Sequence, residues 1–235
     1  MNVNNKQKRR AAQLIKAVVF DCDGLLIDTE TPQYNVFNEI FNSYDLELPL
    51  ELYVQCVGSS LADFHPLDHL EKTLNKKIDR EKINDLMQMR FSEVMENEGL
   101  CDGVKGYLNR AKELGLKVGL ASSSDKRWVM GHLEKYDIAK YFDTIHTSDD
   151  VENIKPDPEL YHQALNSLGI KGGEAIIFED SLNGLKAAKA AGTFCVIVPN
   201  KVTSNLPFKN YDLRINSMSD ISLDHLIEKI NEIKK

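Results

Sequence analysis

The stretch Ala17-Val18-Val19-Phe20-Asp21-Cys22-Asp23-Gly24-Leu25-Leu26-Ile27-Asp28-Thr29-Glu30 decides how this chain is read. Four consecutive apolar residues suit a strand buried on both faces, and the run ends in two carboxylates separated by one residue. Asp21 and Asp23 are therefore expected at a strand's carboxyl end, where ligands bind in open α/β sheets, with Gly24 free to turn the backbone away. Two like charges so close in a low-dielectric cleft repel strongly unless a cation or proton intervenes, so the pair implies a metal. Asp-x-Asp-Gly alone is also ordinary turn composition. An EF-hand calcium loop starting at Asp21 is excluded: Leu26 stands where glycine is needed and Pro32 where the bidentate glutamate is needed.

Beyond Glu30 the pattern becomes helical. Tyr34, Phe37, Ile40 and Phe41 recur at helical spacing, as do Leu61, Phe64, Leu67 and Leu70, and then Ile83, Leu86, Met87, Phe91 and Val94. Strand-like runs resume at Lys117–Ala121, Ala175–Phe178 and Phe194–Val198, separated by helical patterns, with a short strand near Asp212–Ile215 and a closing helix carrying Leu226, Ile227 and Ile230. This alternation predicts an α/β fold, a Rossmann-like, mostly parallel sheet, with an all-helical insertion after the first strand. The expected division is a polar tail over 1–14, a core from 15–28 and 100–235, and a cap over 29–99. Cap and core are expected to move about linkers near Asp28–Pro32 and Gly99–Gly103.

A length of 235 residues suits a core with an inserted smaller domain, and 42% hydrophobic residues suffice for a packed interior. A net charge of -7 argues against a nucleic-acid or anionic-membrane partner. The four cysteines, Cys22, Cys56, Cys101 and Cys195, show no paired metal-ligand spacing and fit a reducing cytoplasm. The basic start, with Lys6, Lys8, Arg9 and Arg10, lacks the apolar run of a secretory signal and is expected to be a solvated tail. His65 and His69 lie one helical turn apart without a recognised third ligand and are expected as surface or packing residues. Gly58-Ser59-Ser60 suits either a plain turn or a substrate-touching loop.

Three further stretches carry chemistry. Ser122-Ser123-Ser124 ends the second strand; one serine can cap the next helix, on whose apolar side Trp128, Val129 and Leu133 fall, and the hydroxyls also suit a phosphoryl oxygen. Lys155-Pro156-Asp157-Pro158 reads on its own as a lysine before a helix whose start is set by Asp157 and Pro158, and its compact ammonium also suits neutralising a phosphate. Glu179-Asp180-Ser181-Leu182-Asn183-Gly184 again delivers adjacent carboxylates from an apolar strand, one more than a helix cap needs.

In this order the four stretches resemble motifs I to IV of the haloacid dehalogenase superfamily, over the chain from Ala17 to about Pro199. With the helical cap between motifs I and II, and with Asp28-Thr29-Glu30 and Val198-Pro199-Asn200, the chain is most similar to the β-phosphoglucomutase-like branch. The resemblance implies a phosphatase acting on a small phosphorylated metabolite, with Asp21 the nucleophile and Asp23 the acid-base group. It implies Ser122, Ser123 and Lys155 on the phosphoryl group, and Mg²⁺ held by Asp21, Asp180, the backbone carbonyl of Asp23 and, assisting, Glu179. Asp23 disfavours a dehalogenase. Gln33 stands where the mutases carry a cap histidine, which disfavours a mutase; a non-catalytic phosphate binder remains the third reading.

Overall fold

The computed structural model describes residues 15–57 and 64–233. Six strands form one sheet: β1 (Ala17–Phe20), β2 (Lys117–Ala121), β3 (Thr144–His146), β4 (Ala175–Glu179), β5 (Phe194–Ile197) and β6 (Leu213–Arg214). Their order is β3-β2-β1-β4-β5-β6, and every neighbouring pair is parallel. Five core helices accompany them: α5 (Val104–Glu113), α6 (Lys126–Lys135), α7 (Glu159–Leu168), α8 (Leu182–Ala190) and α9 (Leu223–Ile233). Among the described residues, four more lie between β1 and α5 and form the inserted cap: α1 (Glu30–Asn42), α2 (Leu50–Tyr53), α3 (Pro66–Leu74) and α4 (Arg80–Asn97). The architecture is the α/β one that the alternation predicts.

Side chains alternate across a strand, which explains why the central strands are apolar throughout. Val18, Phe20, Val118, Leu120, Ile176 and Phe178 enter a layer with α5, α6 and α9. Ala17, Val19, Ala121 and Ile177 face the opposite layer, built from α7 and α8. The cap has its own cluster around Phe37, Phe41, Tyr53, Leu67 and Leu70, which also takes in Val202 of the core. Both chain connections to the cap run side by side: Ile27 bridges Leu100 in antiparallel sense, and the Cys101 N–H donates to the Leu26 carbonyl at 2.9 Å.

The register places the chemistry. Phe20 pairs with Leu120 on one side and Phe178 on the other, so the next residues, Asp21, Ala121 and Glu179, emerge at one level. Immediately beyond β1 the chain reverses at Gly24, whose φ of 75° lies in the left-handed region. A Cβ there would lie 2.4 Å from an Asp180 oxygen.

Several local expectations are corrected. The strand Thr144–His146 is not signalled by the sequence pattern; it is three half-buried residues long. Asp125, not a serine, caps α6, its Oδ1 accepting the Trp128 N–H at 2.8 Å. Leu86, expected on an apolar face, is 41% exposed. The two histidines are structural, as expected: helix α3 starts at Pro66, where the His65 ring accepts the Leu67 N–H, and His69 packs against Phe41 and Phe64. The 1–14 tail, Gly58-Ser59-Ser60 and Leu61 lie outside the described residues.

Phe178 is fully buried, stacked on Phe20 at 4.9 Å with Tyr107 edge-on at 5.5 Å. Truncating such a residue removes both transfer energy and packing, so Phe178→Ala is expected to cost about 3–5 kcal/mol. Denaturant unfolding measures it; a loss under about 1 kcal/mol would contradict this description of the core.

Candidate active site

The carboxyl ends of β2, β1 and β4 open beneath the cap into a cavity of about 560 Å³. Asp21, Asp23, Ser122, Ser123, Lys155 and Asp180 line it from the core, and Glu30, Gln33, Tyr53, Cys56 and Phe91 from the cap side. Lys155 is 3% exposed and donates to all three central strands at the level set by the register: Asp21 Oδ1 at 2.5 Å, the Ala121 carbonyl at 2.9 Å and Glu179 Oε1 at 2.7 Å. Three donors meet three acceptors, so the ammonium is fully satisfied without water. Burial works against its charge, but Asp21 and Glu179 outweigh that and raise its pKa.

Glu179 is enclosed on all sides. Oε1 accepts from Lys155 and from the Tyr161 hydroxyl at 2.5 Å; Oε2 accepts from the backbone N–H of Asp180 and Ser181 and from the Ser181 hydroxyl. Gly184 makes room for it, since a Cβ there would lie 1.8 Å from the carboxyl carbon. Both oxygens of Glu179 are thus committed to holding Lys155 and the start of α8. Asp180 is oriented by Asn200, whose Nδ2 donates to Asp180 Oδ2 at 2.8 Å and to the Gly24 carbonyl at 3.2 Å.

Asp21, Glu179 and Asp180 bring one oxygen each within 4.8 Å of one another, all three buried. One ammonium faces three carboxylates. Burial, then the neighbouring Glu179 and Asp23 charges, push Asp21 up to about 7 despite Lys155. Burial and the charges of Glu179, Asp21 and Glu30 likewise push Asp180 up. An all-oxygen set short of positive charge fits a hard divalent cation such as Mg²⁺.

The Asp23 carboxylate is turned away from that cluster. Oδ1 accepts from the Trp128 indole N–H at 2.7 Å; Oδ2 accepts from the Ser124 hydroxyl at 2.7 Å and the Ser122 hydroxyl at 3.3 Å. The Ser123 hydroxyl oxygen is buried beside the cavity with no hydrogen-bond partner among the described residues. The sequence reading missed Trp128, Ser124, Tyr161 and Asn200 as parts of the site. Trp128 has the readable signal: an indole N–H one turn past a serine cluster is a polar handle that seeks an acceptor.

A family profile described as haloacid dehalogenase-like hydrolase matches residues 18–198. The chain belongs to that family. It is 48% identical over 218 residues to "Putative phosphatase YhcW" of Bacillus subtilis (strain 168), covering 93% of this chain and 99% of that one. It is 31% identical over 180 residues to "Phosphorylated carbohydrates phosphatase" of Thermotoga maritima, covering 76% and 82%. CbbY from Rhodobacter sphaeroides, solved in complex with xylulose-(1,5)bisphosphate, is 27% identical with a TM-score of 0.66, covering 88% of this chain and 96% of that one. The chain is accordingly an enzyme of the phosphatase branch of the family.

Glu30, partly buried on the cavity wall, is pushed from 4.5 to about 8 by burial and then by Asp23, Asp28 and Asp21. The folded state keeps a proton that the unfolded state releases, so metal-free stability falls as pH rises from 4.5 to about 8. Glu30→Gln removes that loss. In EDTA, the thermal-unfolding advantage of Glu30→Gln over the parent is expected to widen from about pH 5 to about pH 8. A constant or narrowing gap would show that Glu30 is not buried against like charge.

Proposed function

We propose that this protein hydrolyses small phosphomonoesters, sugar phosphates or related metabolites, through an aspartyl-phosphate on Asp21. One observation carries this reading: two carboxylates two residues apart share one cavity but have opposite surroundings. Asp21 lies against a buried ammonium, and Asp23 against hydroxyls and an indole.

An oxygen of Asp21 attacks phosphorus while the bond from phosphorus to the leaving oxygen breaks, and Asp23 gives that oxygen its proton. Water then attacks the aspartyl-phosphate, the bond from phosphorus to Asp21 breaks, and Asp23 takes the water's proton, restoring both carboxyl groups. Lys155 fixes Asp21 for attack and offsets the charge gathering on the phosphoryl oxygens. Ser122 and Ser123 offer hydroxyls to those oxygens. Mg²⁺ would be held by Asp21, Asp180 and the backbone carbonyl of Asp23, where it supplies charge neutralisation for an anionic nucleophile meeting an anionic phosphate. Glu179 contributes charge and anchors Lys155.

Among the described residues lining the cavity, Lys155 is the one cation, and it sits behind Asp21. Glu30 and Asp125 line the remainder, an arrangement that favours one phosphoryl group on a hydroxylated carrier over a second anion, and hydrolysis over a mutase cycle through a bisphosphate. The relative named for phosphorylated carbohydrates supports the carbohydrate carrier. The four cysteines, none of them in a disulfide, fit a reducing compartment such as the cytoplasm, and no helix among the described residues is long and apolar enough to cross a membrane.

Phosphate release from a panel of sugar, nucleotide and short-chain phosphates tests the reading. Release is expected with Mg²⁺, to stop in excess EDTA and to return on adding metal. Asp21→Asn is expected to abolish turnover. Asp23→Asn is expected to lower it by ~10²- to 10⁴-fold on alkyl phosphates, and less for formation of the phosphoenzyme from p-nitrophenyl phosphate, whose leaving group needs no proton. Undiminished turnover in EDTA would refute the metal assignment, and near-normal turnover by Asp21→Asn the nucleophile.

A further inference from the structure

Trp128 is the chain's single tryptophan. Its indole touches both parts of the molecule. The N–H donates to Asp23 Oδ1 at 2.7 Å, and the ring stacks on Phe91 of cap helix α4, with centroids 5.8 Å apart and planes 25° apart. His132 packs edge-on against the indole, with ring centroids 4.3 Å apart. The base of α4 is tied to α6 and its C-terminal end: Lys135 Nζ donates to the Met95 carbonyl at 2.8 Å, and the Tyr136 hydroxyl to the Glu98 carbonyl at 2.5 Å. Phe91 stands about one turn from Met95 on α4, so its ring is a contact of the cap with the acid-base apparatus.

We infer that Trp128 is a positioning residue that makes the placement of Asp23 depend on the cap. The inference rests on the reading of Asp23 as the acid-base group. An indole N–H can only donate, so it requires a lone pair from Oδ1 in every protonation state of Asp23. The hydroxyls of Ser122 and Ser124 can donate or accept, so Oδ2 is the oxygen that carries and exchanges the proton. Phe91 fixes the plane of the indole, the indole fixes Oδ1, and the carboxyl is thereby rotated to present Oδ2. A cap displaced from Phe91 leaves the indole, and with it the proton, out of place. The geometry links cap position to proton transfer through two rings and one hydrogen bond.

A single tryptophan gives a single indole N–H resonance in a ¹⁵N-labelled sample, which reads this link without any turnover. In the wild-type protein that resonance is expected at the downfield position of a proton hydrogen-bonded to a carboxylate. It is expected to move upfield in Asp23→Ala and to shift in Phe91→Ala, where the N–H remains. Turnover supplies the second readout, with p-nitrophenyl phosphate and Mg²⁺. Trp128→Phe and Phe91→Ala are each expected to lower kcat by about 10- to 100-fold, as for a reacting group misplaced by about an ångström, and to lower KM with it because dephosphorylation becomes the limiting step. A burst of nitrophenolate should precede the slow phase, because hydrolysis of the aspartyl-phosphate needs Asp23 as base. An indole resonance unmoved by Asp23→Ala, or a Phe91→Ala enzyme with kcat within twofold of wild type and no burst, would overturn the inference. Near-normal turnover by Asp23→Asn would instead overturn the reading of Asp23 as the acid-base group, and the resonance would still report whether the link exists.

Discussion

The ammonium of Lys155 is the point on which this structure depends. Parallel register brings Asp21, Ala121 and Glu179 to one level at the ends of three adjacent strands, and Lys155 is bonded to all three. A buried ion pair is weak support for stability in itself, but removing one partner leaves an uncompensated buried charge, typically at about 3–5 kcal/mol. Around that ammonium the other parts follow. Tyr161 and Ser181 complete Glu179, Gly184 leaves it space, and Asn200 ties Asp180 to the Gly24 carbonyl. Three carboxylates against one ammonium leave the cleft short of positive charge, and it is this shortage that makes it receptive to a divalent cation.

Much of this was legible because strand ends and carboxylates coincide in the sequence. A buried parallel strand must be apolar on both faces, so Ala17–Phe20 and Ala175–Phe178 announce themselves, and the acidic residues that break the pattern mark the open end of the sheet. What was not legible depends on distance in space. Tyr161 lies on the inward face of α7 and looks like any core aromatic until Glu179 is placed beside it. Trp128 reads as a packing residue from its helical spacing, and only the fold shows its N–H on a carboxylate 105 positions away. The strand Thr144–His146 carries Thr and His on half-buried edge positions, where no apolar run is required. The serine expected to cap α6 lost that role to Asp125 because Ser122 and Ser124 face Asp23 instead.

The division of labour proposed for the two aspartates rests on what surrounds them. Asp21 has a cation within bonding distance and two further buried carboxylates nearby, which suits an oxygen that must be ionised in the presence of metal and phosphate. Asp23 has donors that hold it without neutralising it, two of which can also accept, which suits an oxygen that must gain and lose a proton. The inserted cap supplies part of the cavity wall around them, through Glu30, Gln33, Tyr53 and Phe91.

The most direct test is to locate the phosphoryl group during turnover. Enzyme mixed with substrate and Mg²⁺, acid-quenched within milliseconds, treated with borohydride to reduce an acyl phosphate and then digested, should carry its modification at Asp21 within the peptide that spans β1. Modification at Ser122 or Ser123, or a turning-over enzyme with no acyl phosphate at any quench time, would contradict the covalent role assigned to Asp21.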